Sequence, residues 1–430
     1  MTTEPTQPQP AAKAQGFSYT QWLVASLLFA MVFLNYLDRQ VLSVLAPIMR
    51  DEIGLSQTDY AWAVNAFLLS YAVMYFGSGM IIDRIGSRKG LTLFVALWSL
   101  ASALHAAVRG FLELALVRFL LGVTQPGGWT GAVKTVSERF DALQRAIATG
   151  IFSAGASIAT MVSPPLVVYL RNRFGWRMAF LIPSCTGFLW LPLWLMVTRR
   201  RALHPAAKDR GAGLSFAQLG LLRDRRVLAY VLARFFGDFS GYFPLFWMPD
   251  YLTSHKGFSL VKMGRLAWIP FFFNILGPLF GGIASNRLIR RGNPIVFSRK
   301  VTMTLAAVLV ATGALFNGVT STVGILAALS VSTFGVGVWA GNLHTLPGDA
   351  FPRNIVATVH GLAGSAGAVG GMLFNTMVGY WSAAGSYAAV FTLWALLEPL
   401  GLIGMWLWLS EPAAGNGDPT DSQPVEGDHA

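Results

Sequence analysis

About twelve stretches of roughly 20 apolar residues follow one another along these 430 residues, and no water-soluble architecture buries that many. They run roughly over 20–47, 59–82, 90–109, 111–137, 145–170, 176–198, 227–253, 262–287, 298–317, 322–347, 354–380 and 386–410. In lipid a backbone must satisfy its own polar groups, so such stretches become helices. The expected fold is an all-α membrane protein with twelve transmembrane helices. Composition agrees: 54% hydrophobic residues, 12% charged residues and a mean hydropathy of +0.53, with 14 Trp and 30 Phe, exclude an ordinary soluble domain.

An even number of spans puts both termini on one side, and basic residues say which. Of the 32 Lys and Arg, 20 lie in the N-terminal tail or in connections on its side, among them Arg84, Arg88, Lys89, Arg199, Arg225, Arg226, Arg290 and Arg291. Eight lie on the other side (Arg50, Arg109, Arg171, Arg173, Arg177, Lys256, Lys262 and Arg265), and Arg39, Arg118, Lys134 and Arg234 lie within helices. The positive-inside rule then makes both termini cytoplasmic. The net charge of +12 is mostly topology, and nucleic acid is not an expected partner.

The longest polar connection, 199–226, divides the chain into 18–198 and 227–410, six helices each. Residues 1–17 lack the basic and short apolar regions of a cleavable signal, and both this tail and 411–430 are expected to be disordered. Cys185, the single cysteine, falls in an apolar run and reads as core packing. No metal-spaced His or Cys cluster, nucleophile motif or phosphate loop occurs. The chain therefore reads as no enzyme, with neither a metal nor a cofactor.

Charges inside the spans point to function. Arg39 lies in the first apolar stretch beside Asp38, and Arg118 lies in the fourth. An ionised side chain at that depth costs about 3 kcal/mol on insertion scales, so it faces a polar cavity and a partner. Two buried cations suggest a pocket for an anion. In the seventh stretch Asp238 follows Arg234 at i+4, the spacing of an intrahelical ion pair.

The chain also repeats itself. Gly79-Met-Ile-Ile-Asp83-Arg84-Ile-Gly86-Ser-Arg88-Lys89 follows the second stretch, and 203 residues later Gly282-Ile-Ala-Ser-Asn286-Arg287-Leu-Ile-Arg-Arg291 follows the eighth. Gly79, Asp83, Arg84, Gly86 and Arg88 read as a conformational loop, in which an acid near a helix end holds a basic neighbour in one state and releases it in another. Parallel repeats set equivalent positions opposite each other across a central axis, and the offset pairs Arg39 with Tyr242. Tyr242 is thereby expected in the site. Trp268, Trp339, His344, Ser365 and Asn375 are further polar or aromatic candidates for binding, whereas Gly361, Gly364, Gly367, Gly370 and Gly371 read as close helix contacts.

These features together resemble the major facilitator superfamily, whose fold is two pseudo-symmetric six-helix bundles around a central site. Within it the chain is similar to the anion:cation symporters, particularly the bacterial hexuronate transporters. The likeness rests on Asn35-Tyr36-Leu-Asp38-Arg39, Tyr71, Arg118-Phe-Leu-Leu-Gly122, Gly150-Ile-Phe-Ser-Ala-Gly155-Ala-Ser157, Pro164-Pro165, Ala267-Trp268-Ile-Pro270, Ser298-Arg299-Lys300 and Asp349-Ala-Phe-Pro-Arg353-Asn354. The resemblance implies that Arg39, Tyr36 and Tyr71 engage a substrate carboxylate, which suits the planar fork of a guanidinium. It also implies a bacterial cytoplasmic-membrane protein acting as a monomer.

One departure stands out. The family pairs the arginine matching Arg118 with a glutamate two turns on, its proton carrier, and this chain has Gln125 there. An amide does not exchange a proton near neutral pH. Asp38 and Asp238 become the proton-coupling candidates, and an uncoupled facilitator is the alternative. An efflux antiporter is a further alternative, disfavoured because the fifth helix lacks that class's Gly-Pro signature. The expectation is a symporter that imports a small organic anion, a hexuronate or related sugar acid, with protons by alternating access, its partners being that anion, H+ and the bilayer.

Overall fold

The computed structural model describes residues 17–140, 142–199, 216–352 and 355–411, and those residues are helical with no strand among them. The first half runs α1 (Tyr19–Ile53), α2 (Gln57–Ile85), α3 (Ser87–Leu104), α4 (Phe111–Thr124), α5 (Pro126–Arg139), α6 (Ala142–Phe174) and α7 (Trp176–Val197). The second runs α8 (Arg225–Tyr242), α9 (Met248–Asp250), α10 (Leu260–Leu266), α11 (Trp268–Arg290), α12 (Ile295–Ala311), α13 (Thr322–Ala350), α14 (Val356–Ala383) and α15 (Tyr387–Trp408).

Proline explains why fifteen helices make twelve spans. Pro126 has no N–H to give back to the preceding turn, so the fourth span breaks at Gln125 into α4 and α5. Pro244 and Pro249 interrupt the seventh span, where wide π-helical turns over Phe243–Trp247 and Tyr251–His255 flank α9. The eighth span pauses at Ala267 between α10 and α11. Eight helices pass a length-and-apolarity test for crossing a membrane, or nine with the bent α2 counted as one span.

The spans outlast their apolar stretches because caps extend them. Ser18 with Gln21, and Ser56 with Asp59, form capping boxes at the starts of α1 and α2, and Gly54 closes α1 at φ 68°. A 35-residue helix is about 52 Å long at 1.5 Å per residue, well beyond a hydrocarbon layer of about 30 Å. Its polar ends therefore stand outside that layer.

Large apolar side chains such as Leu112, Leu189, Val73 and Leu407 are exposed on the outer surface, as lipid contact requires. Cys185 is exposed too. It was expected in the packing, but its position on α7 points outward, where in a membrane helix exposure is as apolar as a core. Inside, small residues bring helices together: a Cβ on Gly155 would lie 2.6 Å from Phe29 O, and one on Gly337 would lie 2.3 Å from Asn274 O.

The polar tails up to residue 16 and from 412 onward, and most of the connection between the halves, lie outside the described residues. Of that connection, Phe216–Arg223 forms a 3-10 turn that leads into α8. Arg353 and Asn354 also lie outside the described residues.

Candidate functional site

The break at Gln125 builds the first part of the site. Freed from a continuing helix, its side chain turns to α1, where Oε1 accepts from Arg39 Nε at 3.2 Å and from Nη2 at 3.1 Å. Gln125 Nε2 donates to Asn35 O at 3.0 Å, and Asn35 Nδ2 donates back to Gln125 O at 3.2 Å. The guanidinium carbon stands 4.8 Å from the Tyr36 ring centre, 4.8 Å from that of Tyr71 and 5.1 Å from that of Phe67. This aromatic box with an amide at its edge fixes the fork and leaves its charge intact, because Arg39 has no carboxylate partner among the described residues. Asp38, next in sequence, points elsewhere.

Asp38 and Arg118 lie in a second group. Asp38 is buried with Oδ1 unpartnered among the described residues, and Ser102 and Arg118 are among the groups that interact with it. Arg118 is 1% exposed, with Nε and Nη2 making no hydrogen bond among the described residues. His105 joins them from the third span, its Nδ1 on Ala101 O at 2.9 Å and its Nε2 unpartnered. So many buried, unsatisfied polar atoms mark a hydrated or ligand-dependent locus. Gln125, expected on the Arg118 face, has instead gone to Arg39.

The second half faces Arg39 with Tyr242, whose ring stacks on Phe246 at 5.8 Å and whose phenol is among the groups that interact with Arg39. One turn back, Arg234 Nη2 meets Asp238 Oδ2 at 2.7 Å, the i+4 pair expected from the spacing. The α14 glycines make room for it: a Cβ on Gly367 would lie 2.1 Å from Asp238 Oδ2, and one on Gly371 would lie 2.2 Å from the Tyr242 ring. A Cβ on Gly361 would meet nothing within 4 Å, so this glycine marks no close helix contact. His344 and His360 bring their rings within 6.0 Å of each other, and Ser365 Oγ only returns to Gly361 O at 3.2 Å.

Three candidates behave differently. Trp268 is 38% exposed and meets Phe272 edge-on, with no contact to the Arg39 group among the described residues. Trp339 is buried against Gly237. Asn375, expected to face a sugar, is committed to closing the molecule: Nδ2 donates to Ala61 O at 2.7 Å and Asn65 Oδ1 at 2.8 Å, while Oδ1 accepts from Trp247 Nε1 at 2.8 Å.

Asn375 belongs to a seam that reading the sequence missed. Ser43 Oγ and Tyr60 Oη both donate to Phe246 O, at 3.2 and 2.6 Å, and Asn65 Nδ2 donates to Thr376 Oγ1 at 2.6 Å. Arg50 Nη2 binds Asp250 Oδ1 at 2.5 Å, and the fully buried Asp250 also accepts from Ser254 and Tyr387. The bonds of Ser43, Arg50, Tyr60, Asn65 and Ala61 O join α1 and the start of α2 to the end of the seventh span and of α14, while Trp247, Ser254 and Tyr387 brace the second-half side of the seam. The halves are thus sealed at the face opposite the termini. An acid this close to Pro249, inside an apolar stretch, was the available signal.

The repeated loop engages its neighbours on the other face. Asp83 pairs with Lys134 of α5, and Arg88 donates to Thr198 Oγ1 at 3.3 Å and Leu195 O at 3.1 Å. Gly86 turns the chain at φ 84°. In the second half Arg299 Nε binds Asp349 Oδ2 at 3.1 Å.

With this geometry in hand, the sequence matches the Major Facilitator Superfamily over residues 28–375. The chain belongs to that superfamily. Its members are transporters, and this one is an integral, multi-pass membrane transporter and not an enzyme. The superfamily relatives include the hexuronate transporter of Escherichia coli K12, 29% identical with 94% of this chain and 98% of the relative covered. The probable galactarate/D-glucarate transporter GudP of Bacillus subtilis is 25% identical, with 89% and 92% covered. A bacterial homologue of the human lysosomal transporter Spinster, solved inward-facing and unoccupied, shares the superfamily fold at a TM-score of 0.74 and 17% identity, covering 93% of this chain and 100% of that one.

Proposed function

We propose that this superfamily member imports a hexuronate or related sugar acid across a bacterial cytoplasmic membrane by alternating access with proton symport. One observation carries the reading: Arg39 is held rigidly by a neutral amide, so a fixed positive charge in an aromatic box awaits an anionic counter-ion. The names of the relatives at 25–29% identity supply the sugar-acid class.

In this scheme the two units, 18–198 and 227–410, rock about the site with both termini in the cytoplasm. The sealed face is then periplasmic, and sealing there corresponds to the inward-open stage of the cycle. The substrate carboxylate binds Arg39, with Tyr36, Tyr71 and Tyr242 around the sugar ring and His344 and Ser365 toward the open side. The acids available for proton coupling are Asp38, beside unpartnered Arg118, and Asp238, in its pair with Arg234. Protonating Asp238 would release Arg234 to a ligand. A monomer suffices, since each chain carries both halves of the site.

Gln125 also favours a second reading, an uncoupled facilitator, because the amide bound to Arg39 cannot carry a proton. Uptake of labelled galacturonate and glucuronate into proteoliposomes, with and without an inward proton gradient, separates the two. Gradient-driven accumulation supports symport, equilibration alone supports the facilitator, and no uptake of either acid sinks the substrate assignment.

A further inference from the structure

Glu398 has no place in that scheme. It lies midway along α15, the last span, is fully buried, and forms no ion pair among the described residues. Among the described residues its one hydrogen-bond partner is Ser240 of α8, with Oγ 2.6 Å from Glu398 Oε1, and Oε2 has none.

The two contacts of Ser240 bear on the state of the acid. Ser240 Oγ lies 2.8 Å from Gly237 O as well as 2.6 Å from Glu398 Oε1. A hydroxyl carries one proton and a carbonyl oxygen only accepts, so a hydroxyl donating to Gly237 O has none left for a carboxylate. Both contacts are satisfied when Glu398 itself is protonated and donates to Ser240 Oγ. A bare carboxylate here would be an unpaired charge with one oxygen uncompensated.

Ser240 also sits at the weakest turn of the seventh span. Its carbonyl would bond the N–H four residues on, which is Pro244 and has none. Trp394 Nε1, one turn before Glu398 on α15, donates to that carbonyl at 3.1 Å. The last span therefore grips the break in the seventh through both atoms of Ser240. Beyond the break the chain widens into the π-turn whose Phe246 O and Trp247 form the seam between the halves.

No neighbouring charge competes for Glu398. On α8, Arg234 and Asp238 bind each other, Tyr230 is bonded to His360 and Tyr242 stacks on Phe246. On α12, Arg299 is held by Asp349 and Lys300 by Leu409 O. From α14 come only His360 and Tyr380, and the 3-10 turn Thr312–Gly318 carries no titratable group.

We propose that Glu398 is a proton-binding site that clamps the break in the seventh span, so that its proton occupancy sets the balance between states closed and open at the face opposite the termini. Losing the proton forces Ser240 to abandon Gly237 O for the carboxylate and leaves a charge that must move or draw in water, loosening the turn that carries the seam. The idea needs the superfamily's alternating access and not the sugar-acid assignment.

Two measurements on the full-length protein in lipid test it. Infrared difference spectra of the parent against Glu398→Gln should contain the carbonyl stretch of a protonated, weakly bonded carboxylic acid; a difference confined to ionised carboxylate bands overturns the proposal. For the second, spin labels at Asp51→Cys and Ala384→Cys, with Cys185→Ser, report the distance across the sealed face as pH is varied without substrate. Glu398→Gln, whose amide can donate to Ser240 Oγ permanently, should keep that face closed and reduce the pH-dependent change at least twofold, and Ser240→Ala should displace its midpoint. A response in both variants that matches the parent's, or a reduction below twofold in Glu398→Gln, overturns the coupling.

Discussion

Ser43 Oγ donates to Phe246 O at 3.2 Å across the interface of the halves, and the two residues stand at equivalent positions of repeats 203 residues apart. Arg39 and Tyr242 hold the same relation one turn earlier. Four residues along a helix are about 6 Å of rise, so the seam begins directly beyond the proposed substrate site. Arg39, Ser43 and Arg50 share a face of α1 at i, i+4 and i+11, in the order proposed ligand site, seam and outermost lock. A ligand that shifts Arg39 pulls on the strip of helix that seals the opposite face.

Arg50 and Asp250 are the strongest part of that lock. Asp250→Asn leaves Arg50, whose side chain is 10% exposed, without its counter-ion, and breaking a pair so buried costs about 3–5 kcal/mol. The expected outcome is a population shifted toward the state open opposite the termini, measured as faster labelling of cysteines in the central cavity from that side. The exchanged pair Arg50→Asp with Asp250→Arg should recover part of the closure; labelling rates equal to the parent's in Asp250→Asn would remove the lock.

Much of this was legible in the chain and some was not. The twelve spans, the Arg234–Asp238 pair and the candidacy of Arg39 follow from apolar length, i+4 spacing and the cost of charge in lipid, all local properties. Asn375 and Gln125 show the limit: a sequence says that an amide is present, whereas its partners Trp247, Asn65 and Arg39 come from helices brought together only by tertiary packing. Glu398 was passed over because no cation stands near it in sequence, although that isolation is what makes its proton informative.

Arg39→Lys is not a conservative change at a fork held by Gln125 Oε1 through two nitrogens. Losing one charge-assisted bond to a carboxylate costs about 1.5–3 kcal/mol, so anion binding should weaken about 10- to 150-fold. Titration by scintillation proximity or calorimetry checks this, and an unchanged affinity would exclude Arg39 as the carboxylate ligand.

Gln125→Glu places a carboxylate against Arg39 and cancels the charge that the substrate would meet. The introduced acid competes with the anion when ionised and ceases to when protonated. Affinity in this variant should therefore fall as pH rises, where the parent carries no such dependence from position 125. Kd measured across a pH series in both proteins decides it, and parallel curves would mean that Arg39 does not depend on an uncharged partner.

The α14 glycines give the sharpest steric contrast. A Cβ at Gly367 would stand 2.1 Å from Asp238 Oδ2, closer than any real contact, while one at Gly361, on the same helix, meets nothing within 4 Å. Gly367→Ala must push Asp238 off Arg234 or part α14 from α8, an overpacking cost of about 1–3 kcal/mol. Gly361→Ala should transport like the parent with an unchanged melting temperature. If the Arg234–Asp238 pair serves only to hold two charges in lipid, Gly367→Ala lowers thermal stability and transport together. If the pair takes part in coupling, gradient-driven accumulation falls further than substrate exchange at equal protein levels, because exchange does not require the proton to be released. Equal behaviour of the two alanine variants would show that α14 and α8 do not meet at Gly367 as described.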